Sequence, residues 1–334
     1  MTGETGLKTE RYDTLDVVRI IAAFFVMLFH IAFSVRYKYV FLALGRFAVP
    51  YFFMISGFFL LDPYGSREKS VSRIKRSLTK TLKLTAFILL LYFVFDTVLS
   101  VIKGDSAFFW ISSRIDAGTV FELIVFNRTD FICPVMWYLL AYIYDMLILW
   151  LVVRFNKLNM AFFLIPLLLA ANWVSTSVFK LDWYYQGNWL LTGLPFILTG
   201  ILIRRKMKEI DRLSNPVLWL IFIAGIIITV AESLTLYEQV LYIGTFPLVT
   251  GLFLLALRSK IKWPAFISRH SRDVSLCVFV IHCFISGLII DVFGIPQGAY
   301  EYMHPLVVFS LSVLSGILFV ILKKEFQLRK SVKA

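Results

Sequence analysis

Apolar runs of 17 to 23 residues, separated by short polar or basic stretches, recur along the whole of this chain. Ten of them are long and apolar enough to cross a bilayer: residues 14–34, 40–62, 82–103, 134–155, 159–177, 187–203, 213–233, 239–257, 272–293 and 302–322. The pattern predicts an all-α, polytopic membrane bundle of about ten transmembrane helices in a single domain, residues 1–334. Two stretches break the rhythm of short connections. Residues 63–81 are strongly basic. Residues 104–133 are mixed in charge and contain 119–126, an apolar piece too short to span, which suits a re-entrant or interfacial position from which it could lid a site.

Composition agrees: 59% hydrophobic and only 16% charged residues exclude an ordinary soluble domain. A net charge of +13 would suggest nucleic acid in a soluble protein, but its distribution here has a simpler cause. With the connections alternating across ten spans, 26 of the 34 Lys and Arg fall on the side of the N-terminus, and the other side holds Arg36, Lys38, Lys103, Arg114, Arg128 and Lys180. By the positive-inside rule both termini are expected in the cytoplasm and the protein in the cell membrane, with no nucleic-acid partner and with anionic lipid as a secondary one.

The first apolar run is full length and carries charge, so no cleavable leader is expected. Three cysteines, 133, 277 and 283, form neither a disulfide framework nor a zinc pattern, and no metal is expected. There is no Walker loop, dinucleotide glycine pattern or HExxH. Asn127-Arg128-Thr129 matches the glycosylation acceptor pattern on an outward loop, a weak signal.

Candidate chemistry begins in the first span, where Arg19 and His30 are eleven residues apart. That spacing puts them roughly 20° apart on one helix face and about 16 Å apart along the axis. Ionisable groups inside a membrane are expensive and default to a functional hypothesis. His30 is expected in the outer third of the bilayer, and Arg46, entering in span two, at the same depth; an imidazole there can accept a proton from a hydroxyl. Asp16 precedes Arg19 by three residues and fits either an ion pair with it or an accessory role at an anion clamp. Arg73 and Arg76 share a face if span three starts early as a helix, Lys75 adds a third cation, and guanidinium forks suit phosphates. Asp145, near mid-membrane, is expected to need a partner such as Arg19, Arg46 or a hydroxyl. Trp137 and Trp183 near the outer edge fit belt anchors better than sugar platforms. Ser312 and Gly316 make a small-xxx-small pair for helix packing.

Taken together, the run Leu15 to His30, the run Arg46-Phe47-Ala48-Val49-Pro50-Tyr51-Phe52-Phe53-Met54-Ile55-Ser56-Gly57-Phe58, Arg73 with Arg76, Met136-Trp137-Tyr138-Leu139, and Ser275 to His282 resemble the acyltransferase-3 family of integral membrane acyltransferases. The resemblance covers nearly the whole chain. It implies transfer of an acyl group, usually acetyl, from cytoplasmic acetyl-CoA to a hydroxyl of an extracytoplasmic glycan or envelope polymer. It assigns Arg19, His30 and Arg46 to catalysis, Arg73 and Arg76 to the nucleotide phosphates, where the adjacent Lys75 is also expected from its charge, and an accessory place to His282. The chain departs from many relatives in having Phe279 where they carry Tyr, and no hydrolase domain is expected after span ten, so a separate extracytoplasmic partner could complete it. The first two motifs are also similar to the membrane half of the serine racemases of vancomycin-resistance clusters. That likeness keeps open a transport module for serine or another small polar solute, and with it the question of whether the chain is stand-alone or an excised membrane half.

Overall fold

Helices in this chain start and break where prolines, caps and charges dictate. The computed structural model describes residues 12–33, 38–62, 65–104, 106–236 and 238–332; Arg36, counted above on the outward side, lies outside them. The described residues are helical and contain no strand. In chain order the α-helices are α1 (Asp13–His30), α2 (Lys38–Gly45), α3 (Ala48–Leu60), α4 (Arg67–Ile102), α5 (Ala107–Arg114), α6 (Ala117–Phe126), α7 (Trp137–Arg154), α8 (Leu158–Ala161), α9 (Leu164–Ser177), α10 (Leu194–Arg205), α11 (Met207–Ile210), α12 (Asn215–Thr235), α13 (Thr245–Arg258), α14 (Ala265–Phe293) and α15 (Ala299–Val332). Seven stretches are long and apolar enough to cross a membrane: Lys38–Leu60, Arg67–Ile102, Pro134–Arg154, Leu158–Ser177, Asn215–Thr235, Ala265–Phe293 and Tyr300–Gln327. The three other expected spans coincide with shorter or more charged helical pieces: α1, the π-helical turn Trp189–Gly193 running into α10, and α13. Ten is therefore an approximate count.

Three departures from the expected boundaries position the site. Span two is two helices, because Pro50 has no N–H to return to the carbonyl of Arg46, and the chain turns at Arg46-Phe47. Span three begins some fifteen residues early: Ser66 caps α4, its Oγ accepting from the Lys69 amide (3.3 Å), so most of the basic stretch 63–81 is helix. At 36 residues, α4 is about 54 Å long against a hydrocarbon core of about 30 Å, which leaves its basic N-terminal turns outside lipid. The sixth span opens with a π-turn where Pro195 cannot donate to Leu191; that carbonyl accepts instead from the Asn172 amide (3.2 Å).

Helix α1 packs on α3 and α14, α3 on α10, α4 on α7, α12 on α13 and α14 on α15. The α3–α10 crossing is backbone against backbone. A Cβ at Gly57 would meet the Ile197 carbonyl at 2.0 Å, and one at Gly200 the Met54 carbonyl at 2.0 Å, so each helix offers a notch to the other. Beneath it lie the fully buried rings of Tyr51, Phe53, Phe58, Phe196 and Phe253. Gly316 lies against Val274 and Cys277 of α14, the packing role expected for it.

The segment 104–133 forms α5 and α6 and a return loop. Asp116 caps α6 in a capping box with Thr119, and Asn127 ends it at φ 51°. Asn127 is fully buried, its amide donating to the Trp137 carbonyl (3.3 Å) and its Oδ1 accepting from the Trp189 amide (3.1 Å), so the acceptor nitrogen of the glycosylation pattern is already used. Arg128 is clasped by Asp130 (2.6 Å) and Glu122 (2.7 Å), and the Asp130 hydrogen bond with both charges holds its guanidinium above the ordinary arginine range. Phe121 and Ile124 stay exposed on α6.

Candidate active site

Two cavities enter the bundle from the two ends of α1. The first, about 690 Å³, lies at the end where α1 begins. Asp16 and Arg19 of α1, Phe52 and Ser56 of α3, Arg73, Arg76, Ser77 and Lys80 of α4, Tyr138 and Tyr142 of α7, and Arg272, Ser275 and Phe279 of α14 line it. Five cations face one carboxylate, so it is called the basic cavity. Arg19 Nη1 sits 3.3 Å from Asp16 Oδ1, the i,i+3 pair the sequence allowed, while its buried Nε has no hydrogen-bond partner. Arg73 Nη1 donates to the Leu61 carbonyl (2.6 Å), tying the basic turn of α4 to the end of α3 and satisfying a terminal carbonyl. Arg76 and Lys80 extend the same face of α4. Lys75 does not join them: it is exposed on the other side of the helix with its ammonium 5.6 Å from the Trp150 ring, because one step from Arg76 turns a side chain about 100° away.

Arg272 is a cavity residue that the sequence reading missed. Span nine was expected to start there, with Arg272 in the basic connection; helix α14 instead starts seven residues earlier and sets Arg272, still exposed, on the wall of the cavity within electrostatic reach of Arg19. The available signal was the i, i+3, i+7 spacing of Arg272, Ser275 and Phe279 on one face.

The second cavity, about 890 Å³, holds Val26 and His30 of α1, Arg46 at the α2–α3 break, Pro50, Asp130, Trp137, Lys180, Asp182, Trp183 and Glu238. Three carboxylates outnumber two cations, so it is the acidic cavity. His30 and Arg46, placed at one depth from sequence, do share it. Arg46 Nη2 donates to Glu238 Oε1 (2.7 Å), and its guanidinium lies 4.6 Å from the Phe29 ring centroid. Glu238, 192 positions away, had no local signal beyond its place on an acidic connection. Trp137 and Trp183 meet edge to face at 6.4 Å and wall the cavity, rather than serving only as belt anchors.

His282 backs His30. The two rings are 5.5 Å apart, His282 is fully buried, and its Nδ1 lies 2.8 Å from the Val278 carbonyl. A carbonyl only accepts, so that contact requires Nδ1–H and leaves Nε2 an acceptor with no hydrogen-bond partner. Asp145 stands apart from both cavities. It is fully buried, neither carboxylate oxygen has a hydrogen-bond partner, and Oδ2 presses on the backbone of Gly193 at the π-turn. The expected pairing with Arg19, Arg46 or a hydroxyl is absent, since those arginines are taken up at the cavities by Asp16 and Glu238.

Phe52, Tyr138 and Phe279 line the basic cavity, and Val49, Pro50 and Trp137, within one helical turn of Phe52 and Tyr138 along the chain, line the acidic one. Among the described residues no group of three or more His, Cys, Asp or Glu is placed to hold a metal ion.

An acyltransferase-domain family model matches residues 12–324, spanning both cavities and every helix that lines them. The chain belongs to the acyltransferase-3 family. The family model describes an acyltransferase domain. An amino-acid racemase of Enterococcus faecalis is 25% identical over 96% of this chain and 47% of its own length, so the acyltransferase-3 chain spans about half of that curated relative. No solved structure matches it.

Proposed function

We propose that the protein transfers an acyl group, with acetyl as the smallest candidate, from acetyl-CoA in the cytoplasm to a hydroxyl of an envelope glycan or polymer on the far side of the cell membrane. The observation that carries this is the junction of a strongly cationic cavity and a histidine-bearing cavity on the same helices, α1, α3 and α7. Both chain termini face the cytoplasm in this reading, which puts the basic cavity where a nucleotide donor is available. Arg73, Arg76, Lys80 and Arg272 hold the donor phosphates and Arg19 guides the thioester arm inward, along the roughly 16 Å that separate it from His30. His30 takes the proton of an acceptor hydroxyl in the acidic cavity. The hydroxyl oxygen bonds to the thioester carbonyl carbon, Arg46 stabilises the developing oxyanion, the carbon–sulfur bond breaks, and the proton passes to the departing thiolate. His282 positions the His30 ring, and Trp137 with Trp183 offers apolar faces to a sugar. The carboxylates favour a neutral or cationic acceptor over a polyphosphate.

Free thiol released from acetyl-CoA by the purified protein, together with mass spectrometry of envelope polymers with and without the gene, tests this reading. Acetylation lost with the gene and on His30→Ala supports it; identical polymers and no thiol release overturn it. The racemase name of the relative favours one alternative, passage of serine or a similar small zwitterion through the same path. Serine uptake into proteoliposomes with no acyl donor is its signature.

A further inference from the structure

We propose that Phe52, Tyr138 and Phe279 form an aromatic gate between the two cavities and set the size of the acyl group handed to His30. The proposal rests on the acyl-transfer reading above and adds which donors it accepts. The three rings come from α3, α7 and α14. Tyr138 is 6.0 Å from Phe52 and 5.6 Å from Phe279 between centroids, distances at which aromatic rings touch. From α1, fully buried Ala23, between Arg19 and His30 in the helix, belongs to a cluster against which Phe52 packs.

The leaves of the gate are not equal. Tyr138 is also packed on Phe53 (4.7 Å) and stacked on Tyr142 (6.4 Å), which itself hydrogen-bonds Ser77 (3.0 Å), so it is a fixed post. Phe279 carries no hydroxyl to anchor it. Phe52 is only partly buried and its ring borders the basic cavity. These two can swing aside about their χ angles while Tyr138 holds. His282 is three residues beyond Phe279 and touches His30, so a group that passes Phe279 arrives at the imidazole.

A passage opened by ring rotation in a close-packed layer is sensitive to each added methylene. Discrimination of about 10- to 200-fold per methylene is what an apolar constriction can supply. The gate therefore passes acetyl and rejects longer chains, and replacing a leaf by a smaller side chain relaxes that choice.

The test compares thiol release from acetyl-, butyryl- and hexanoyl-CoA by wild type, Phe279→Ala, Phe279→Leu and Phe52→Ala, purified in lipid nanodiscs with an envelope extract as acceptor. Wild type is expected to lose at least 10-fold from acetyl to butyryl. Phe279→Ala and Phe52→Ala are each expected to raise the butyryl-to-acetyl ratio at least 10-fold, with Phe279→Leu intermediate. Because the readout is a ratio within one preparation, partial misfolding of a variant leaves it unchanged. Equal ratios in an active wild type and all three variants overturn the gate alone. A wild type that releases thiol from none of the donors overturns the acyl-transfer reading and the gate with it.

Discussion

The basic and acidic cavities share α1, α3 and α7 yet carry opposite chemistry. Five cations against one carboxylate line the first, and two cations against three carboxylates line the second. The first draws its charge from helix faces, α4 and α14 running past the lipid boundary with arginines in register. The second draws much of its charge from connections and breaks: Asp130, Lys180, Asp182, Glu238 and the kink at Arg46. A polyanionic donor is matched to the first, and a neutral or cationic acceptor to the second. His30 lines the second, and in the proposed reaction the bond is made on the acceptor's side.

The sharpest way to break this division of labour is His30→Ala. Loss of a general base costs about 100- to 10,000-fold in turnover, and the variant should still be inserted and folded, because the ring opens on a cavity rather than filling the core. Thiol release at an unchanged rate would remove His30 from the chemistry. Next in size, Arg76→Ala or Arg272→Ala should raise KM for the acyl donor and leave KM for the acceptor unmoved. A charge-assisted hydrogen bond is worth about 1.5–3 kcal/mol, or roughly 10- to 150-fold. The same donor KM should rise with ionic strength through screening at the exposed end of α4. A shift in acceptor KM instead would mean the two cavities are not separate in function.

Trp137→Ala sharpens the comparison from the other side. An aromatic wall contributes about 0.5–1.5 kcal/mol beyond its area, so acceptor KM should rise about 2- to 13-fold with donor KM constant. Smallest of all is Lys75→Ala. Its ammonium lies over Trp150, away from the phosphates' end of α4, and donor KM should stay within about twofold. A large rise would place Lys75 back in the basic cavity and contradict the geometry of α4.

The helical class, the approximate spans and the shared faces of Arg19 with His30 and of Arg73 with Arg76 were legible because helical periodicity and bilayer thickness are local rules. Helix starts were less legible. α4 and α14 begin in basic, polar sequence that hydropathy alone reads as connection, and Arg272 was lost for that reason. Glu238 could not be found from sequence, since its pairing with Arg46 joins positions 192 apart and depends on the break that Pro50 imposes. Asp145 shows the converse. A buried carboxylate predicts a partner, yet the space beside it is occupied by the bare backbone of Gly193, a contact between α7 and the π-turn that Pro195 marks but that hydropathy does not register.

The most direct measurement uses proteoliposomes of known orientation, with radiolabelled acetyl-CoA sealed on the side that bears Arg73 and a hydroxylated acceptor on the side that bears Trp183. The account predicts that label appears in the acceptor only in this arrangement, and that Arg272→Ala slows it in proportion to donor KM. Equal labelling with donor and acceptor on one side, or serine crossing the bilayer at a rate indifferent to acetyl-CoA, would contradict it.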